Sequence, residues 1–248
     1  MLNKAIKKTL IILFWILVWQ AIASIVNLEL ILPSPLQTVK ALFVISRESE
    51  FYIAVFSSLS RIITGFILGV AVGFVGAVLS SRFKLVSELF APILRLLRAV
   101  PVASFIIIAF YWLLSDSVPT LICFLMVLPL IWTTVETALN NIDKRYLEIA
   151  KIYRLSGFKT FFGIKLPFIM PNLMSTVLTS LGFAWKSGIA AEIICLPPAS
   201  LGGLIGSSKS ALLTSEVFAI TTVVIILSII LESVVKLTLR RFTNDNSK

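Results

Sequence analysis

The chain has 248 residues, of which 58% are hydrophobic and only 14% charged. Soluble domains carry roughly 45–50% apolar and about 25% charged residues, so a disordered chain, a disulfide scaffold and most soluble enzymes are excluded. The net charge is +10, but its 22 Lys and Arg are too sparse for a nucleic-acid-binding face; with no His and two Cys, the chain cannot perform Ser-His or Cys-His catalysis, hold a His-ligated zinc or build a metal cluster.

A membrane-spanning helix needs about 20 mostly apolar residues. Thr9 to Val26 is an uncharged run of 18, preceded by Lys4, Lys7 and Lys8 and containing an Ala21-Ile22-Ala23 triplet. A secretory signal has a shorter apolar stretch of roughly 7–15 residues, so an uncleaved first helix is expected. An outer segment, Asn27 to Tyr52, follows. Ile62 to Ser81 is a run of 20, Ala99 to Ser115 one of 17, and Ser117 to Val135 one of 19. Asp116, Ser117 and Pro119 form a tight turn between the last two. Leu166 to Trp185 gives 20 residues, and Val217 to Leu231 gives 15 that can continue to Val235. Ile193 to Ser208 is uncharged too, but Pro197-Pro198 and Gly202-Gly203 break a helix, so this run reads as a loop or re-entrant segment on the far side. The fold class is an all-α membrane protein with about six transmembrane helices. Residues 1–52 form the first helix and outer segment, 53–241 the core with an inner loop at 140–165, and 242–248 a cytoplasmic tail.

Cytoplasmic flanks of spans are enriched in Lys and Arg. With the N-terminus inside, 17 basic residues fall on inner segments, counting Arg95 and Arg98 at the inner end of the third helix, and only Lys40, Arg47 and Lys209 on outer ones. Six of the inner ones lie between Lys144 and Lys165. Both termini are therefore assigned to the cytoplasm of a multi-pass plasma-membrane protein, which makes the net charge a topology signal.

Gly65, Gly69 and Gly73 recur every four residues on the second span, with Gly76 nearby. They bare one helical face to a close neighbour, within the subunit or across a dimer, or give a surface that slides during gating. Arg61 opens the same helix and either serves function at membrane depth or snorkels to the headgroups. Lys186 and Glu192 flank the outer end of the fifth span beside Trp185, where they line a solute route or pair with each other. Gly203 to Ser210 reads GLIGSSKS and superficially suggests a phosphate-binding loop. It lacks Gly immediately before Lys, a preceding strand and a cytoplasmic position, so it is a decoy.

The inner loop is the most informative segment. Leu147, Ala150, Ile152, Leu155 and Phe158 recur at helical spacing, interleaved with Glu148, Lys151, Arg154 and Lys159. Ser156-Gly157 can break this amphipathic helix, and Pro167 can begin the next one. The helix lies on lipid or protrudes as a knob for a soluble partner.

At this loop the sequence resembles the permease subunits of ATP-binding-cassette importers. Glu148 and Ala150 match the start of their Glu-Ala-Ala motif, and Ile164, Leu166 and Pro167 follow Glu148 by 16, 18 and 19 residues in the family's register. Ile149 stands in for the first Ala, Arg154 occupies the usual Gly position, and Gly157 comes three residues later. Leu32-Pro-Ser-Pro35, residues 57–73, residues 94–103, Ala184-Trp185, Ala191-Glu192 and Leu201-Gly202 resemble the nitrate/sulfonate/taurine-type subgroup.

The resemblance implies a type I importer permease fold and a subunit with no ATPase site of its own and no bound cofactor. Its implied partners are cytoplasmic ATPase subunits that hydrolyse ATP, a second permease copy, an extracytoplasmic substrate-binding protein and membrane lipid. It implies ATPase coupling through Glu148, Ala150, Arg154, Gly157, Ile164, Leu166 and Pro167: Glu148 as a salt-bridge partner, Ala150 permitting close contact, and Pro167 fixing where the loop turns into the fifth span. Arg61, Trp185, Lys186 and Glu192 are the candidate solute-pathway residues. An autonomous secondary transporter or channel is the alternative, with Arg61, Glu136, Lys186, Glu192 and Glu232 as its few candidate ion ligands.

Overall fold

The computed structural model describes residues 4–245, and every regular element among them is helical. Five helices are long and apolar enough to span a membrane, or six if one sharply bent pair counts as a single span.

Helix α1 (Lys4–Val26) ends where Asn27 takes a left-handed conformation, φ 47°. Asn tolerates this because its short polar side chain can bond locally. The outer segment then folds into a short helix, α2 (Pro35–Ile45). Ser34 caps it by accepting from Gln37 N–H while the Gln37 side chain accepts from Ser34 N–H at 2.7 Å, a reciprocal capping box. Trp19 Nε1 donates to Pro33 O at 3.1 Å and ties α1 to this corner.

Helix α3 (Ser49–Arg82) has 34 residues, about 51 Å of rise, so it overshoots a bilayer core of about 30 Å. It starts well before the apolar run that marks it. Its glycines lie against α6 (Val118–Asn140) of the same chain. A Cβ on Gly69 would sit 2.7 Å from Val127 Cβ, and one on Gly73 would sit 2.9 Å from Leu128 O. A Cβ on Gly65 would collide with Thr120 O, and one on Gly76 with the Trp132 ring. Trp132 Nε1 donates to Ser80 Oγ at 3.0 Å, locking the two helices at their far end.

The expected third span is corrected. Helix α4 (Lys84–Ala99) follows α3 after Phe83 alone, and only α5 (Val102–Trp112) occupies the apolar run. The two meet at a bend of 107°. Pro101 causes the break: it disfavours the helical conformation of Val100, which is extended at φ −78°, ψ 133°. Eleven residues of α5 rise about 17 Å, too little to cross alone. Arg95 and Arg98 thus belong to α4, not to the end of one continuous span.

The inner loop forms α7 (Lys144–Ile152), a turn, α8 (Gly157–Thr160) and a π-helical segment at Phe161–Lys165. That segment leads without interruption into α9 (Leu166–Cys195). Pro167 therefore lies in the first turn of α9 but does not separate loop from span. Its missing N–H is absorbed by the register shift, in which Leu166 N–H bonds Phe161 O.

The Ile193–Ser208 run is corrected in part. Pro197-Pro198 do end α9, but Gly202 and Gly203 lie inside a helix, α10 (Leu201–Ser210). Ser200 caps it by accepting from Gly203 N–H at 2.9 Å. The last helix, α11 (Thr214–Asp245), runs into the expected tail; residues 246–248 and the side chains of Lys4, Lys8, Arg240 and Arg241 lie outside the described residues.

The core is the packing of α3, α6 and α9. Gly188 of α9 is the three-way junction: a Cβ there would sit 2.6 Å from Ile62 Cγ1 and 2.7 Å from Cys123 Sγ. Cys123 also donates to Ala184 O at 3.2 Å, joining α6 to α9.

Candidate functional site

A buried polar network closes the end of the bundle where α3 begins. Glu192 of α9 is fully buried. Its Oε2 accepts from Ser58 Oγ at 2.7 Å and from Gly202 N–H at 3.1 Å. Its Oε1 faces Arg61 Nη1 at 3.5 Å. Ser58 Oγ in turn accepts from Leu201 N–H at 2.9 Å. Gly202 is required for this geometry: a Cβ would collide with Glu192 Cβ and lie 2.6 Å from Ile193 N.

Arg61 completes the network. It forms an ion pair with Asp116 in the α5–α6 loop, and it donates to Pro198 O at 3.0 Å and Ala199 O at 3.3 Å in the α9–α10 loop. One guanidinium thus holds two loops and one buried carboxylate, using its fixed fork of donors. Arg61 turns inward and does not snorkel. Glu192 pairs with Arg61, not with Lys186. Among the described residues no buried side-chain N or O lacks a partner, so the network is closed. A cavity of about 550 Å³ adjoins it, lined by Glu50, Ala54, Pro197, Ser200 and Gly203 among others.

Lys186 behaves differently. It is exposed on α9, six residues and about 9 Å before Glu192, and makes no ion pair among the described residues. Asn172, Ser175 and Thr179 are exposed on the same helix at heptad positions with Lys186. A groove of about 410 Å³ beside Lys186 is lined by Trp185, Ile189, Val224 and Ser228. Trp185 itself is buried and donates to Val224 O at 3.1 Å, pinning α9 to α11.

At the opposite end, α7 presents Glu148 to the exterior while Ala150 is only 3% exposed. The close approach that a small side chain at 150 permits is therefore to its own chain. Arg154 has φ 50°. Its N–H bonds Lys151 O at 3.0 Å and Leu155 N–H bonds Ala150 O at 2.9 Å, the paired bonds of a left-handed helix terminus that ordinarily uses Gly. Arg154 thus adopts a glycine's backbone conformation. Gly157 has a negative φ and open space around it, so the turn does not depend on it. Ile164 and Leu166 are half-buried and Pro167 is exposed.

Residues 65–244 match the family described as binding-protein-dependent transport system inner membrane component. The chain belongs to this family. It is an inner-membrane permease component of an ATP-binding-cassette importer, a transport subunit that works with an ATPase and a substrate-binding protein. It is similar to the nitrate import permease protein NrtB of Synechocystis, 25% identical across 96% of this chain and 86% of that one. It is also similar to the bicarbonate transport system permease protein CmpB of Synechocystis, 27% identical across 79% of this chain and 71% of that one. The taurine transport system permease protein TauC of Escherichia coli is 24% identical across 91% of this chain and 84% of its own. The fold matches the crystal structure of an amino acid ABC transporter with histidines at TM-score 0.64 and 12% identity, covering 82% of this chain and 97% of that one.

Sequence reasoning missed Ser58, Asp116 and Gly202 as members of the network. A signal existed for Ser58, which lies three residues before Arg61 and so shares its helical face. Asp116 and Gly202 reach the site through loops whose path no periodicity reports.

Proposed function

We propose that two copies of this chain enclose a pathway lined by the exposed polar face of α9, and that a small anion crosses it. The carrying observation is Lys186: an exposed cation with no ion pair among the described residues, more than 25 Å along a helix long and apolar enough to span a membrane, beside the groove between α9 and α11. Such a charge facing lipid is costly, whereas facing a water-filled route it is a binding group. Asn172, Ser175 and Thr179 give that route hydroxyl and amide partners on the same face. Arg61 contributes no free charge, because Asp116 and Glu192 occupy it. The relatives named for nitrate, bicarbonate and taurine support an anionic solute.

On this reading α7 docks in a cytoplasmic ATPase subunit with Glu148 at the contact, and both termini are cytoplasmic. The chain itself hydrolyses no ATP. Because α8, the π segment and α9 are continuous, a push on the loop is delivered along the helix that carries Lys186 and Glu192. The Arg61 network then closes the outer end. The test is reconstitution of the complete importer in liposomes. Glu148→Lys abolishes solute-stimulated ATP hydrolysis while insertion is unchanged, and undiminished stimulation overturns the coupling role. Lys186→Leu raises the KM for the anion; an unchanged KM overturns the pathway assignment.

A further inference from the structure

A cavity of about 420 Å³ lies at the inner end of the bundle, where α3 stops and the loop segment enters α9. Two cations line it, Arg82 and Lys165, together with Ser81 and Thr160. Its floor is apolar, formed by Val78, Leu139 and Phe161, and no carboxylate lines it. Neither cation makes an ion pair among the described residues, where only Arg61, Lys84 and Arg145 do. Arg82 is exposed and lies 5.8 Å from the ring centroid of Phe83. Lys165 is half-buried, so its charge is partly desolvated without a counterion.

We infer that this cavity binds the phosphate of an anionic phospholipid from the inner leaflet. A phosphodiester supplies the missing negative charge and acceptor oxygens for both cations. The apolar floor accepts the first carbons of the acyl chains. Basic pockets between spans on the cytoplasmic side have this chemistry. The lining favours this occupant: Val78, Ser81 and Leu139 lie in the last turns of apolar spanning helices, where headgroups meet the bundle. Gly157 and Thr160 of the loop also line it, so an acidic side chain of a docked ATPase is the competing occupant that the experiment separates. Because Phe161 and Lys165 belong to the π segment, a bound lipid holds the joint between the coupling loop and α9.

The experiment is lipid binding to the delipidated full-length protein, read by native mass spectrometry with phosphatidylglycerol or phosphatidylcholine added. Wild type binds phosphatidylglycerol in preference, and Arg82→Gln with Lys165→Gln weakens that binding roughly 30-fold. The control pair Lys84→Gln with Arg95→Gln removes equal charge on the same side and leaves the preference intact. Arg82→Lys with Lys165→Arg, which keeps both charges, retains binding and shows that loss in the Gln pair is not a folding defect. Equal loss in both Gln pairs means general surface attraction and overturns the site. Competition by millimolar inorganic phosphate or glycerol phosphate, with no stable phosphatidylglycerol complex, assigns the cavity to a soluble anion and overturns the lipid. Tight phosphatidylglycerol binding that disappears only when the ATPase is docked assigns it to a protein carboxylate and overturns it too.

Discussion

Ser58 Oγ donates to the buried Glu192 carboxylate at 2.7 Å and at the same time accepts from Leu201 N–H at 2.9 Å. This hydroxyl therefore joins α3 to α9 and α10, which lie more than 130 residues further along the chain. It explains why a carboxylate persists at a position without solvent. Two donors meet one oxygen and a guanidinium faces the other, so both oxygens have a partner.

Removing the carboxylate is expected to destabilise the protein strongly. Glu192→Ala leaves Ser58, Gly202 N–H and Arg61 without their shared acceptor, a loss of about 3–5 kcal/mol typical of breaking a buried charge pair. Ser58→Ala leaves Leu201 N–H unpaired and costs about 1–3 kcal/mol. The double variant loses less than the sum, because both changes disrupt one network. Denaturation of the purified full chain in one detergent, compared across the four proteins, checks this. Strict additivity would contradict the shared network.

Arg61→Gln is expected to free the two loops most and, because the fully buried Glu192 loses its countercharge, to lower global stability as well. Asp116 is over half exposed and can return to water, and the carbonyls of Pro198 and Ala199 lie at the surface. Hydrogen exchange of residues 113–117 and 196–201 should accelerate most, while α6 between Ile122 and Val135 keeps more of its protection. If the network closes the outer end, the same variant leaks solute in liposomes without ATP. Uniform acceleration across the chain would show a global defect.

The spans, the glycine face and the amphipathic helix of the 140–165 loop were legible because each rests on local periodicity. Gly65, Gly69 and Gly73 repeat at the pitch of a helix, and the loop alternates apolar and charged residues at the same pitch. What packs on the glycines was not legible, since Val127 and Leu128 are ordinary apolar residues of another helix. The third span was misread because its apolar run passes over the break: Val100-Pro101 turns the chain within an uncharged stretch. Arg61 and Glu192 stood out as charges inside apolar segments. Their mutual pairing was hidden because Lys186 lies much nearer to Glu192 in sequence. Distance along the chain says little when a 107° bend and a Pro-Pro loop carry the partners together.

The glycine seam gives a graded series. Gly69→Ala places a methyl group 2.7 Å from Val127 Cβ and 3.1 Å from Phe124 O, so α3 and α6 must separate. Overpacking of this kind costs about 1–3 kcal/mol. Val127→Ala removes Cγ1, 2.9 Å from that methyl, but keeps the Cβ at 2.7 Å, so Gly69→Ala with Val127→Ala recovers only a small part of the loss relative to Val127→Ala alone plus Gly69→Ala alone. The Phe124 carbonyl is backbone and cannot yield in the same way, so recovery is incomplete. Full recovery would show that the backbone approach is unimportant.

Arg154 and Gly157 make opposite predictions although they lie three residues apart between α7 and α8. Arg154 is held at φ 50° by two backbone bonds, so its side chain matters less than its conformation. Arg154→Gly keeps that terminus, because glycine enters the left-handed region without a Cβ penalty. Arg154→Ile does not, because a β-branched residue there is a steric outlier, and straining one residue into a sparse region costs about 1–3 kcal/mol. Gly157 meets nothing within 4 Å and has no positive φ, so Gly157→Ala fits and stabilises by about 0.4–1 kcal/mol through the unfolded chain. Limited proteolysis between Lys151 and Lys159 in the membrane-embedded protein reads all three. Cleavage rises for Arg154→Ile alone and falls for Gly157→Ala. If Arg154→Gly also abolishes ATPase coupling while its proteolysis stays at the wild-type rate, the guanidinium contacts the ATPase directly, and the left-handed backbone is not what the turn contributes.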